Sequence, residues 1–269
     1  MTSVRAILLG SGGSAGVPHI GGVDGHGDWG ACDPAEPRNR RTRSSVVLQA
    51  PDSSGGGALL VDTSPDMRAQ LLDCGIARVD AVLFTHAHAD HVVGLDDVRL
   101  LNRVAGRPLE AFGTPATLDE IEGRFAYAFR PWQPPGFYRP VLVRHPIGPG
   151  ETVAVGALQV QIFDQDHGFS RSIGLRAGPF AYSTDAVTLD EAAFATLEGV
   201  DTWVVGCFQR DHHRTHAWLD RVLEWIARVR PRRAVLTHMG YDMDWAWLRA
   251  RLPAPVEPGY DGMVLEVPG

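Results

Sequence analysis

The sequence predicts an α/β fold in which two β-sheets carry helices on their outer faces. Three observations lead there. β-type runs recur along the whole chain, amphipathic helical patterns alternate with them only in places, and no internal repeat or low-complexity linker divides the 269 residues. Because 44% of the residues are apolar, the chain can fill a sizeable core, and residues 1–269 read as one domain.

Taken in order, residues 4–9, 45–49, 58–62, 81–85, 153–163 and 173–176 have the composition of strands, and residues 180–183, 202–207, 234–237 and 263–267 continue the series. Residues 65–74, 91–104, 115–129, 189–197, 215–229 and 244–251 carry apolar side chains at helical spacing. The stretch PDSSGGG at 51–57 is a hairpin turn. Between residues 125 and 138, Phe125, Tyr127, Phe129, Trp132, Phe137 and Tyr138 surround three prolines. That aromatic density predicts core packing, with a lid or a dimer contact as alternatives.

Composition narrows the function. A formal net charge of -7 argues against a surface for non-specific adhesion to nucleic acid or anionic lipid and favours a small substrate. The cations are all arginine, which carries no functional weight here. Cys32, Cys74 and Cys207 are odd in number and widely spaced, so no disulfide framework is expected. Neither a signal-like segment nor an apolar run of roughly 18 residues is present. The expectation is a cytoplasmic protein that does not engage a membrane.

The chemistry concentrates in THAHADH, residues 85–91. An apolar strand ends there, and His86, His88, Asp90 and His91 follow within one turn. Ligands bunched at a strand end face one cleft, and neutral imidazoles with a carboxylate are a set that zinc, manganese or iron accepts. This HxHxDH pattern resembles the signature of the metallo-β-lactamase superfamily, whose fold is a four-layer αββα sandwich. The resemblance implies further residues. Asp62 in VDTS matches the aspartate that orients ligands by hydrogen bonding. His167 in DQDHGFS, Asp185 in STDA and His238 in LTHMG match the remaining ligands. On that reading one metal takes His86, His88, His167 and Asp185, and the other takes Asp90, His91, Asp185 and His238.

Outside these motifs, LGSGGSAGVP, RNRRTRSS, RTHAWLD and GYDGM resemble the phosphodiesterase branch, in particular the phosphoribosyl 1,2-cyclic phosphate phosphodiesterases of phosphonate catabolism. In that branch a histidine starting the helix after the bridging aspartate assists hydrolysis, and His216 holds the matching position. His212 and His213 compete for the role but lack the motif match. The branch also carries a cysteine-based structural zinc site. Here only Cys32 remains and Tyr241 stands where a histidine would, so that site is absent; His19, His26, Asp28 and Asp33 are too irregularly spaced to replace it. GSGGSAGVP reads as a tight turn beside the site, with phosphate contact through its amides as the alternative. Arg38, Arg40, Arg41 and Arg43 are left outside the site.

The resemblance implies two divalent ions, zinc or manganese, that bridge a hydroxide and attack a small, in some cases cyclic, phosphodiester. His216 and Asp90 are the expected catalytic groups, His216 giving a proton to the departing alkoxide or clamping a phosphoryl oxygen. A homodimer is compatible with the sequence. The alternatives are a ribonuclease Z-like nuclease, against which the lack of a basic arm speaks, a thioesterase or lactonase, and a non-catalytic binding member such as the pyrroloquinoline-biosynthesis relative.

Overall fold

A computed structural model describes residues 3–134 and 136–269. Met1, Thr2 and Pro135, the last belonging to the proline and aromatic segment, lie outside the described residues. Strands β1 (Val4–Gly10), β2 (Ser45–Gln49), β3 (Ala58–Val61), β4 (Ala81–Leu83), β5 (Leu109–Gly113) and β6 (Leu142–Pro146) build one sheet. A second contains β7 (Thr152–Val155), β8 (Leu158–Asp166), β9 (Arg171–Ala177), β10 (Phe180–Ser183), β11 (Thr202–Gly206), β12 (Arg233–Thr237) and β13 (Val256–Pro258). The last strand, β14 (Val264–Val267), returns to the first sheet and pairs antiparallel with β1.

Alternation along the strands explains the layers. In β2, Val46 and Leu48 face the second sheet while Val47 faces outward. The inter-sheet core joins these and Leu59, Val61 and Leu83 to Val160, Ile162, Leu175, Tyr182, Val204 and Val235. Outside the first sheet pack α1 (Met67–Asp73), α2 (Ala89–Val92), α3 (Val98–Ala105) and α4 (Pro115–Arg124), burying Leu71, Val98, Leu101 and Leu118 against Val47, Leu60 and Val82. Outside the second, α5 (Glu191–Leu197), α6 (Leu219–Val229) and α7 (Trp245–Arg251) bury Leu197, Val222, Trp225 and Leu248 against Trp203, Val205 and Leu236. The result is the αββα order of layers. Helix starts are capped as their sequences dictate: Thr114, Asp190 and Asp244 accept from the amides of Thr117, Ala193 and Trp247.

Several element boundaries differ from the sequence expectation, each for a physical reason. The run at 153–163 is two strands, because Gly156, with φ of 57°, folds a two-residue turn inside an unbroken apolar alternation. Strands β5, β6 and β13 carry charged or proline residues that hid them, and β6 and β13 are sheet edges, where such residues belong. The helix expected at 91–104 breaks into α2, a 3-10 turn at Val93–Asp97, and α3. In the aromatic segment Phe125, Tyr127 and Phe129 pack on the outer core, and Trp132 stacks on Phe137 at 4.9 Å. Tyr138 is exposed.

Parallel pairing of β3 with β4, of β10 with β11 and of β11 with β12 sets those strands' carboxyl ends at one edge of the sandwich. In α/β sheets that edge is where ligands bind. Among the described residues no helix is long and apolar enough to cross a membrane.

Candidate metal centre

Every residue of the predicted cluster follows a strand. Asp62 follows β3, His86 and His88 follow β4, and Asp90 and His91 lie on α2 just beyond. From the second sheet come His167 after β8, Asp185 after β10 and His238 after β12. Four non-glycine residues among those described have positive φ, and three of them are Asp62 (64°), Asp185 (48°) and His238 (55°). Left-handed backbone costs an L-residue roughly 1–3 kcal/mol and gathers at functional sites. Here it turns each side chain abruptly from its strand into the cleft.

Asp185 stands at the middle. Its Oδ1 lies 3.0 Å from His216 Nε2, 3.3 Å from His238 Nε2, 3.7 Å from His167 Nε2 and 4.0 Å from His86 Nε2. Its Oδ2 lies 3.2 Å from His91 Nε2. On one side His88 Nδ1 approaches His86 Nε2 at 3.0 Å and His167 Nε2 at 3.3 Å. On the other, Asp90 Oδ2 is 3.2 Å from His91 Nε2. The structure thus brings together all seven residues that the motifs single out, in overlapping groups whose donor atoms lie within 4.8 Å of one another. His88 is exposed while Asp90 and His216 are half-buried, so the cluster opens to solvent on their side.

Outer hydrogen bonds decide which imidazole nitrogen faces inward. His167 Nδ1 donates to the Thr215 carbonyl at 2.7 Å, and His91 Nδ1 donates to Asp62 Oδ2 at 2.7 Å. Each thereby turns Nε2 toward the cluster as the nitrogen a metal would take. Asp62 also accepts from the Thr85 amide and hydroxyl, both at 2.8 Å. Burial pushes its pKa up. With three donors around it, however, the carboxyl has no acceptor for a hydrogen of its own, and Asp62 is the ionised partner. Ser44 Oγ, 3.2 Å from His238 Nδ1, is the nearest hydrogen-bonding group to that nitrogen.

Electrostatics separates the rings. Burial pushes His86 well below the ordinary histidine pKa and brings His238 down to about 4. Burial acts on His91 in the same direction, but Asp185 and Asp62 overcome it and hold the imidazole well above its usual value. Asp185 is buried too, yet His238, His91 and His216 hold its carboxyl well below the carboxylate range.

The residues fit divalent ions. His91 Nε2 and His238 Nε2 are fully buried without any hydrogen-bond partner, a costly condition for polar atoms unless something else meets their lone pairs. Two carboxylates, Asp90 and Asp185, and imidazoles are hard and borderline donors, as zinc or manganese requires.

His216 departs from the expectation in one respect. It does not begin a helix, since α6 starts only at Leu219. Residues 214–216 form a bend, and just beyond it the Ala217 amide is bonded to the Ala186 carbonyl and the Phe208 amide to the Ala217 carbonyl. That pairing carries His216 across to Asp185. Sequence reasoning missed Ser44, the Thr215 carbonyl and Phe208, whose ring stacks on His216 at 4.8 Å. Gly13 of the glycine-rich loop abuts the site, since a Cβ there would stand 2.8 Å from the Phe208 ring and 3.6 Å from His238 Nε2. His19 stacks on Tyr241, and the metal-capable groups among the described residues include neither it nor His26, Asp28 or Asp33.

Residues 58–239 match the model of the β-lactamase superfamily domain, and with its αββα layers and His/Asp cluster the chain belongs to the metallo-β-lactamase superfamily. Within it, the chain is similar to a new diphosphatase from the PhnP family, with 30% identity and a TM-score of 0.86 over 98% of this chain and 97% of that one. It is 31% identical to an octanoyltransferase of Porphyromonas gingivalis over 97% of this chain and 51% of that protein. A ribonuclease Z of Bradyrhizobium sp. is 29% identical over 51% of this chain and 44% of its own length. The chain therefore spans about half the length of the curated relatives it matches. Zinc-bound PqqB from Methylobacterium extorquens, at 20% identity and a TM-score of 0.75, shares the fold. Named members thus include hydrolases and a zinc-binding protein.

Proposed function

We propose that the protein is a dinuclear metal-dependent phosphodiesterase acting on a small phosphodiester, cyclic ones included. The observation that carries this reading is the convergence of four histidine Nε2 atoms on Asp185 Oδ1, with His216, the outermost of them, on the open side. His86, His88, His167 and Asp185 would hold one ion, and Asp90, His91, Asp185 and His238 the other. Bound there, two zinc or manganese ions supply Lewis-acid activation of water and neutralisation of phosphoryl charge.

The chain's own groups do the rest. Asp185 sets the spacing between the two halves of the site, and Asp62 fixes the tautomer of His91. Asp90, at the open edge, is placed to accept the proton of an entering water. His216 Nε2 donates a proton to the departing oxygen, the service that positioned acid–base groups provide in hydrolysis. A small substrate suits the net charge of -7 better than a polynucleotide. The three free cysteines are in keeping with a cytoplasmic enzyme.

Likeness to the diphosphatase favours a second reading, cleavage of a phosphoanhydride at the same site. Purified protein loaded with zinc or manganese, assayed on bis(p-nitrophenyl) phosphate, cyclic phosphodiesters and a nucleoside diphosphate, separates the two. Turnover of the diesters supports the first reading and turnover of the anhydride alone supports the second. No turnover of either, or full activity in His88→Ala, overturns both.

A further inference from the structure

We infer that His213 is a positioning residue for His216, fixing which of its ring nitrogens meets the departing oxygen. The inference rests on the proposed role of His216 as proton donor. The sequence reading set His213 aside because DHHR matches no motif, but the structure joins the two rings. His213 Nδ1 lies 3.2 Å from His216 Nδ1. The Thr215 hydroxyl stands beside both, 2.9 Å from His216 Nδ1 and 3.4 Å from His213 Nδ1.

Two imidazole nitrogens at that distance share one hydrogen, and a backbone amide settles which ring carries it. The Thr215 N–H points at His213 Nδ1 from 3.3 Å. An amide only donates, so His213 Nδ1 must present its lone pair. His216 Nδ1 therefore carries the hydrogen, with His213 Nδ1 at 3.2 Å and the Thr215 hydroxyl oxygen at 2.9 Å as its acceptors. A ring held through its Nδ1 hydrogen exchanges protons through Nε2, and Nε2 is the nitrogen 3.0 Å from Asp185 Oδ1 at the open side of the cluster. The same division of labour is found wherever a catalytic imidazole is oriented by a third group. Here a neutral histidine takes the place that a carboxylate or carbonyl more often fills.

Phe208 braces the pair. Its ring stacks on His216 at 4.8 Å and lies against His213 at 5.0 Å, so neither imidazole can turn without displacing it. In the proton step the Nε2–H bond breaks and an O–H bond forms on the departing oxygen as its P–O bond opens. Nε2 keeps the electron pair, and the Nδ1 hydrogen stays in place toward His213.

The test uses metal-loaded protein and a series of methyl aryl phosphates running from p-nitrophenyl to phenyl. The first leaving group departs without a proton and the last needs one. His213→Ala should lower kcat on the phenyl ester by on the order of 10-fold or more, part of the roughly 10²–10⁴ that a positioned acid contributes. On the p-nitrophenyl ester it should change little, with KM and metal content unaltered. His213→Asn, which keeps an acceptor, should recover much of the loss. An equal loss along the series, no loss at all, or a fall in metal content in His213→Ala overturns the inference. His216→Ala serves as the reference: if its own losses do not rise toward the phenyl ester, the acid role of His216 fails and this inference with it. A steep His216→Ala series beside a flat His213→Ala series overturns the inference alone.

Discussion

His91 and Asp62 meet at 2.7 Å through Nδ1 and Oδ2, which turns His91 Nε2, buried, toward Asp185 at 3.2 Å. Asp62→Asn keeps the volume and tolerates the φ of 64°. Its amide would donate to Nδ1 and reverse the tautomer. Metal affinity is expected to fall about 10- to 100-fold with little change in fold. Competition with a chelating dye measures this, and an unchanged affinity would show that Asp62 is only packing.

Metal-free protein should lose stability as pH falls from about 6.5 toward 4. The buried His238 has a folded pKa of about 4 against the ordinary 6.5, so in that window the unfolded chain binds the proton first. Stability is complete above 6.5 and declines through the window by on the order of 3 kcal/mol. His86 and His167, also lowered by burial, act with the same sign. His91, raised by its carboxylates, stays protonated in the folded state and opposes the decline only near 6.5, where the unfolded chain is still taking up its proton. Denaturant melts across pH 4–7 test this. A flat profile would show that His238 is not held neutral by burial.

At Gly13 a methyl group has nowhere to go, with the Phe208 ring 2.8 Å away and Phe208 itself pressed on His216. Gly13→Ala should cost about 1–3 kcal/mol by overpacking. It should also lower kcat by turning the His216 ring, while leaving metal content as before. Wild-type kinetics in the variant would mean that Phe208 yields freely and does not set the ring.

Arg41 is nearly fully buried and its guanidinium is spent on structure. It donates to the Met243 carbonyl at 2.7 Å, to Asn39 Oδ1 at 3.3 Å and to the Gly240 carbonyl at 3.4 Å, beside Cys32 Sγ at 3.8 Å. This arginine ties the loop beyond His238 to the N-terminal segment. Arg41→Met strands the Met243 carbonyl, because Asn39 Oδ1 keeps the Trp245 amide and the Gly240 carbonyl keeps the Met243 amide, at about 1–3 kcal/mol, lowering Tm by several degrees. Elemental analysis of wild-type protein should find no third metal.

Much of the centre was legible because its residues follow short apolar runs and carry side chains of one chemistry, as in THAHADH. Asp185 and His238 were readable only alongside that cluster, since a single acid or histidine after a strand is unremarkable by itself. Sequence could not reach the groups that act through the backbone or across long separations. The Thr215 carbonyl on His167 and Ser44 on His238 lie 48 and 194 residues from their partners. The helical pattern from 215 to 229 ran too far toward the N-terminus because apolar spacing does not register the bond between the Ala217 amide and the Ala186 carbonyl. Strand β6 escaped because Arg144 and His145 mask it, Arg144 pairing with Asp119 and Glu122 on α4.

The donors come from both sheets: residues 86–91 extend the first, and His167, Asp185 and His238 extend the second. The interface between the sheets is apolar, and the directional contacts across it include, at this rim, the Ile173 amide donating to the Thr85 carbonyl. Ions held across the rim would therefore act as rivets as well as catalysts. Binding linkage gives about 2.7 kcal/mol of cohesion at a hundredfold excess over Kd. Depletion of metal and loosening of the sandwich would then be one event, so a chain that had lost its chemistry would also be the one a protease could open.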